Sequence, residues 1–447
     1  MVSTSSPALS GPVHLPGDPG YTPELAGYNT AVSHAPEIVV GAADADDVLQ
    51  SVRFARERGM PVAVQSTGHG AHVPVASGLL VSTRRLDGVS VDPAARAATV
   101  GAGARWAAVI AAAAEHGLAP VPGSSDNVGV AGYLLGGGLG PLARSHGVSS
   151  DYLTGLTVVT GEGELVEADE HQNPDLFWAL RGGKSGLGVV TALRLRLVEL
   201  RTLYAGSLFF AEEHIETVLR TWAGWTATAD PAVTTSVAII RFPPLDAVPE
   251  PFRGRRLLSL RFAYPGDAGD GARLAAPLRD AAPVHLDGLG ELAGADLARI
   301  HNDPSAPAPS WVTGTMLTGV DQGLVTALLG HVGAGTDAPF VVAELRHLGG
   351  AVLADVPGGS AVGGRAGAFS LGLVALPDPA LFESVAPAAA AALTRDLKPW
   401  LAPETTINFA GLPRPGEEPA RAWSPGTAAR LDAIRRRYDP DGLFGRR

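Results

Sequence analysis

Apolar positions come in short runs through the first two hundred residues and in longer, alternating runs after that. Glu37-Ile38-Val39-Val40 reads as a strand, and Asp44 as the N-cap of a helix with Val48, Leu49, Val52 and Ala55 on its apolar face, ending at Gly59. Pro61-Val62-Ala63-Val64 is the next strand, followed by Leu79-Leu80-Val81, Val89-Ser90-Val91 and Ala97-Ala98-Thr99-Val100, all separated by turn residues. Residues 106–116 predict an Ala-rich helix closed by Gly117. Residues 155–160 and 164–168 predict a hairpin about Gly161-Glu162-Gly163, residues 175–181 a short helix and residues 189–200 a strand. Residues 1–35, rich in Pro, Gly and Ser, read as an extended surface arm.

Between about residues 200 and 400, strands over 257–263, 340–347 and 368–376 alternate with helices such as 215–228, the pattern of an antiparallel sheet with helices on one face. A last helix is expected over 426–438. The length of 447 residues suits two domains, and 46% hydrophobic residues suffice for both cores. A formal charge of −11 argues against nucleic acid or an anionic membrane and for a small-molecule partner. The absence of cysteine excludes disulfides, thiolate nucleophiles and Cys-ligated metals. Met1-Val2-Ser3-Thr4-Ser5-Ser6-Pro7 lacks the basic and apolar parts of a secretory leader, and no apolar run approaches a membrane span, so a cytoplasmic protein is expected. Lys184 and Lys398 are the only lysines, the kind of bias a GC-rich bacterial genome produces.

Candidate chemistry concentrates in two glycine-dense segments. Gln65-Ser66-Thr67-Gly68-His69-Gly70-Ala71 follows a predicted strand, where small residues let backbone amides approach a phosphate and leave one imidazole free to react. Residues 123–140, from Gly123-Ser124-Ser125 through Val128-Gly129 and Gly132-Tyr133 to Gly140, form a second segment too long for a simple turn. Together they suggest a cradle for a large dinucleotide. Gly182-Gly183-Lys184-Ser185 is half a P-loop, but Trp178 stands where the first glycine is needed and a helix precedes it in place of a strand. His69 and His72 lack a third ligand at recognisable spacing, so no metal is expected.

Tyr28-Asn29, Ser66-Thr67-Gly68-His69-Gly70, Val128-Gly129-Val130-Ala131-Gly132-Tyr133 with its following glycines, Asp151, and Asn173-Pro174-Asp175-Leu176-Phe177-Trp178 occur in one order. With Gly188-Val189-Val190-Thr191, Leu348-Gly349-Gly350-Ala351, Asn408-Phe409 and the terminal Tyr438-Asp439-Pro440-Asp441-Gly442, they cover nearly the whole chain. The sequence resembles the berberine-bridge-enzyme-like branch of the vanillyl-alcohol oxidase and p-cresol methylhydroxylase superfamily.

The resemblance implies an α+β, two-domain PCMH-type FAD-binding fold. Residues 1–200, completed by 405–447, would form the FAD-binding domain, and 201–404 a substrate domain of antiparallel sheet covered by helices. FAD is the implied cofactor, joined to His69 through a ring nitrogen, a bond that needs a neutral imidazole. Ser66, Thr67, Gly68 and Gly70 would contact the pyrophosphate. Gly123, Ser124, Val128, Gly129 and Gly132 would line the ribityl chain and isoalloxazine, and Gly188 and Val190 the adenosine half. Ser125 stands where many relatives carry a second, cysteinyl tether, so a single covalent link is expected.

The implied activity is removal of a hydride from a C–H bond of a small amine or alcohol, with dioxygen reoxidising the flavin to give hydrogen peroxide. The alternatives are a secondary-metabolite tailoring enzyme, in which hydride removal triggers cyclisation or desaturation, and a redox-silent flavin binder. Sugar-oxidising relatives use a Tyr-x-Asn-Tyr segment as base; here it reads Ile407-Asn408-Phe409 after Thr406, with neither tyrosine. An amine could give up hydride without a base. Strand alternation puts Glu344 and Arg346 on one face with Phe340 and Val342, either over the flavin to orient substrate or move a proton, or as an exposed ion pair. Tyr133 either projects into the pocket or simply packs. Lys184, in place of a family glycine, either nears phosphate or faces solvent.

Overall fold

The computed structural model describes residues 9–411 and 422–445. The leader reading of residues 1–7 lies outside them. Strands Ile38–Gly41, Leu79–Ser82 and Val62–Gln65 pair in parallel, and Val13–His14 adds an antiparallel edge. Helix Ala45–Glu57 begins at Asp44, whose carboxylate accepts the Asp47 amide at 2.9 Å. Replacing Asp44 with alanine should cost about 1 kcal/mol in urea unfolding, the usual worth of such a cap. The arm is not merely extended: it carries the Val13–His14 strand and helix Tyr21–Leu25. Asp47 secures it, because its buried carboxylate accepts the amides of Ser10, Gly11 and Ala43, each at 2.8 Å.

A five-stranded antiparallel sheet follows, in the order Val89–Asp92, Ala97–Gly101, Val189–Arg196, Leu153–Val159 and Leu165–Ala168. Its apolar face packs against helices Trp106–Ala114, Val130–Leu134 and Pro174–Leu180. Helix 106–116 stops two residues earlier than expected, and Gly117 makes the turn at φ +68°. The strand expected over 189–200 breaks at Leu197, and Val198–Glu199 pairs instead with Leu118–Ala119.

From residue 202 onward an eight-stranded antiparallel sheet runs through Val284–Asp287, Thr202–Ala211, Arg256–Tyr264, Thr234–Arg241, Phe340–His347, Phe369–Ala375 and Val312–Leu317, with Gly290–Ala293 also on Thr202–Ala211. Helices Ile215–Thr226, Gln322–Val332 and Val385–Asp396 cover one face, burying Trp222, Phe210, Phe262 and Leu324. The opposite side meets the glycine-rich segment, where Leu139, Ala143 and Val148 pack with Met316, Leu348 and Val352. Helix Pro425–Tyr438 returns to the first half. Its Leu431 and Ile434 join the core of Pro174–Leu180, and the Tyr438 hydroxyl donates to Asp175 at 2.9 Å. No described helix is long and apolar enough to cross a membrane.

Candidate functional site

The chain leaves strand Val62–Gln65 directly into the His69 loop. Gly68 turns it at φ +73°, where a Cβ would come within 2.6 Å of the Gly27 backbone, so only glycine fits. The carbonyls of Thr67 and Gly68 accept the amides of Tyr28 (2.9 Å) and Asn29 (3.4 Å). The amides of residues 66–70, by contrast, donate to no described residue. Ser66 Oγ is buried and likewise has no partner. A run of amides without a described acceptor, beside an orphaned hydroxyl, is a set of donors that suits an anion.

His69 is held on two sides. Its ring stacks on Tyr28, with centroids 3.9 Å apart and planes 13° from parallel. Its Nδ1 lies 2.9 Å from Thr67 Oγ1, which also accepts the Gly129 amide at 3.3 Å. Burial, with the Arg105 guanidinium nearby, pushes the imidazole down to about 4, so it is neutral at physiological pH. Thr67 thus couples the first loop to the second segment. In that segment the Cα of Gly132 faces open space, as does that of Gly70 in the loop, whereas a Cβ on Gly129 would press on Ser66 and Thr67. These features fit a dinucleotide: free amides and a hydroxyl for phosphate, bare backbone for a ring, and a neutral imidazole beside it.

Other expected contacts are less direct. Ser125 Oγ accepts the Asn127 amide at 3.4 Å, and the Asn127 side chain donates to the Ser305 carbonyl at 2.7 Å. Asn29 ties the Ala71 carbonyl to Ser310, so the segment after His301 is bound over the His69 loop. Gly188 and Val190 lie at the start of strand Val189–Arg196 and share no hydrogen bond with the loop; Val190 pairs with Val158 and its side chain is in the core. Tyr133 packs edge-on against Trp106 and receives a 3.5 Å hydrogen bond from Ser149, and burial pushes its phenol up to about 12.

Glu344 and Arg346 do share a face, but not with Phe340. A bulge between Phe340 and Val342 shifts the register, sending Phe340 with Ala343 and Leu345 into the helix-covered core. Nor is the pair an exposed one. Glu344 accepts Ser236 Oγ (2.8 Å), Arg261 (2.7 Å) and Arg346 Nε (2.8 Å), and its side chain is 12% exposed. Although burial opposes ionisation, the two guanidiniums outweigh it and hold the carboxyl well below the usual range. Arg346 also donates to the Leu139 carbonyl at 3.1 Å and lies 5.4 Å from the Phe409 ring centre. His301 stands 3.6 Å from Glu344, beyond hydrogen-bond range, and a cavity of about 10 Å³, the size of one water, opens beside it.

Arg261, Ser236 and His301 carry no motif; only cross-strand register brings Ser236 opposite both Arg261 and Arg346. Lys184 is not in solvent. Its ammonium donates to the Gly132 carbonyl and to Asn408 Oδ1, each at 2.7 Å.

Residues 36–169 match the family model described as an FAD binding domain. The chain is 32% identical over 207 residues to (R)-6-hydroxynicotine oxidase of Paenarthrobacter nicotinovorans, covering 46% of this chain and 45% of that protein. It is 32% identical over 230 residues to the FAD-linked oxidoreductase YvdP of Bacillus subtilis, covering 50% and 52%. The matched region thus spans about half the length of these curated relatives. The solved structure of 6-hydroxy-D-nicotine oxidase from Arthrobacter nicotinovorans superposes at a TM-score of 0.84 with 22% identity, over 99% of this chain and 98% of the other. Chitooligosaccharide oxidase superposes at 0.81 with 18% identity, over 97% and 96%. These likenesses show a shared fold along the whole chain. The family-model match and the curated relatives add that residues 36–169 are similar to an FAD binding domain and that the matched half of the chain is similar to FAD-linked oxidoreductases.

Proposed function

We propose that the protein is an FAD-dependent oxidase of a small organic amine or alcohol, with the flavin tethered covalently through His69 alone. The observation that carries this reading is the neutral, stacked imidazole of His69 beside the free amides of residues 66–70. In the tautomer whose Nδ1–H donates to Thr67 Oγ1, Nε2 carries the lone pair that would form the bond. Bound there, FAD would supply the two-electron acceptor, taking hydride from a substrate C–H bond and passing the electrons to dioxygen as hydrogen peroxide.

In this reading residues 1–200 with 405–447 hold the cofactor, residues 201–404 hold the substrate, and the protein works in the cytoplasm. Arg346 orients the substrate. Glu344, already ionised and saturated with donors, fixes that guanidinium in place and takes no proton near neutrality. Tyr133 keeps its proton for the same pH range and serves as a neutral wall of the pocket. The test is anaerobic mixing with panels of amines and alcohols. Bleaching of the flavin's visible band, followed in air by peroxide equal to the oxygen consumed, is the expected result; a flavin that no substrate in either panel bleaches would favour a redox-silent binder.

A further inference from the structure

Lys184 is one of four non-glycine residues at positive φ among the described residues, at +64°. A bulky side chain held in that region costs strain, which persists where the surroundings impose it. Its amide donates to the Leu135 carbonyl at 2.9 Å, and its side chain reaches back over helix Val130–Leu134 to the Gly132 carbonyl. The second acceptor, Asn408 Oδ1, is itself fixed by the Asn408 amide group donating to the Tyr133 carbonyl at 2.8 Å. Two acceptors leave the third N–H of the ammonium without a partner among the described residues, beside a Gly132 Cα that faces open space. That arrangement leaves one ammonium N–H available to an anion.

Resting on the FAD reading above, we propose that Lys184 is the charge-compensating group of the flavin pocket, its ammonium stabilising the negative charge that the isoalloxazine acquires on two-electron reduction. Hydride brings two electrons and one hydrogen to the ring, which leaves one negative charge there. Lys184 balances it by Coulomb attraction and neither gains nor loses a proton. Burial pushes the ammonium down to about 8, so the compensation fades as pH rises through that value. The neighbouring groups do not supply a substitute: Arg346, the other cation near Tyr133, is neutralised by Glu344 and donates to the Leu139 carbonyl. His72 is itself pushed down by burial and by Lys184, Tyr133 stays protonated, and Arg435, paired with Asp432 at 3.1 Å, is spent on the carbonyls of Gly183 and Ser185. Glu404 is turned to the Gly364 amide.

Sulfite tests this without a known substrate, because its addition to the flavin N5 leaves the same negative charge on the ring. The flavin-loaded protein should bind sulfite at pH 7, and Lys184→Met should weaken the dissociation constant by about tenfold or more, the effect of one poorly screened charge at short range. Lys184→Gly, which adopts the positive φ without strain, should weaken it equally and guards against misfolding. Lys184→Arg should keep the affinity. The ratio of Met variant to wild type, in which sulfite's own ionisation cancels, should shrink towards one as pH passes about 8. Met and Gly variants that are yellow, folded and within twofold of wild type would overturn the proposal, as would a yellow wild type that binds no sulfite. A wild type that takes up no flavin would instead bring down the FAD reading itself.

Discussion

A His69→Ala variant will hold FAD only reversibly, so acid precipitation will release all of its yellow colour, while the wild type will keep its flavin in the pellet. Alanine removes the only imidazole in the loop of residues 65–71. With no cysteine in the chain and Ser125 at the alternative position, nothing replaces it. Binding itself should survive, because the amides of residues 66–70 and the Ser66 hydroxyl remain. The bond also has a predictable pH dependence. Only the neutral imidazole attacks, and burial holds His69 neutral down to about pH 4. Apoprotein mixed with FAD should therefore form the link at rates that are flat from pH 8 to 5 and fall as pH drops through about 4. Covalent flavin in the alanine variant would refute the assignment outright.

The first half of the fold was legible because its signals are local. Asp44 caps the helix it was expected to cap, and the glycine-dense segments fall beside one another because Thr67 joins them. The second half was legible as a class of architecture but not in register. Alternation along Phe340–His347 gave the right face for Glu344 and Arg346 but the wrong one for Phe340, since a bulge is set by the partner strand and leaves no mark in a period of two. The same limit hid Arg261 and Ser236, which matter only through strands far apart in sequence. For Lys184 the sequence leaves solvent and phosphate both open, and the structure excludes solvent. A lone lysine in a glycine run suggests solvent, and only the backbone turn shows its side chain directed back over Gly132.

Removing the Glu344 carboxylate will have the largest effect on stability. In Glu344→Leu the guanidiniums of Arg261 and Arg346, now side by side and buried, lose the anion between them, and Ser236 loses its acceptor. Breaking a buried pair from one side costs about 3–5 kcal/mol, because the charge left behind is desolvated and uncompensated. Glu344→Gln keeps the shape and one acceptor oxygen but not the charge, so it should lose somewhat less. The pH dependence separates this from a packing defect. The folded-state pKa of Glu344 lies well below its ordinary value of 4.5, so its contribution is complete above about pH 4.5 and is lost as pH falls through the depressed folded value. The difference in unfolding free energy between wild type and Glu344→Gln should therefore be constant from pH 8 to 5 and narrow on further acidification. His347, pushed down to about 3 by burial beside Arg144, loses its own stabilising contribution as pH falls from about 6.5, but it does so in both proteins and cancels. Chemical unfolding at several pH values reads all of this. A gap that persists unchanged into strong acid would mean that Glu344 acts through its shape, and Arg346 would then need another reason to point at Leu139 and Phe409.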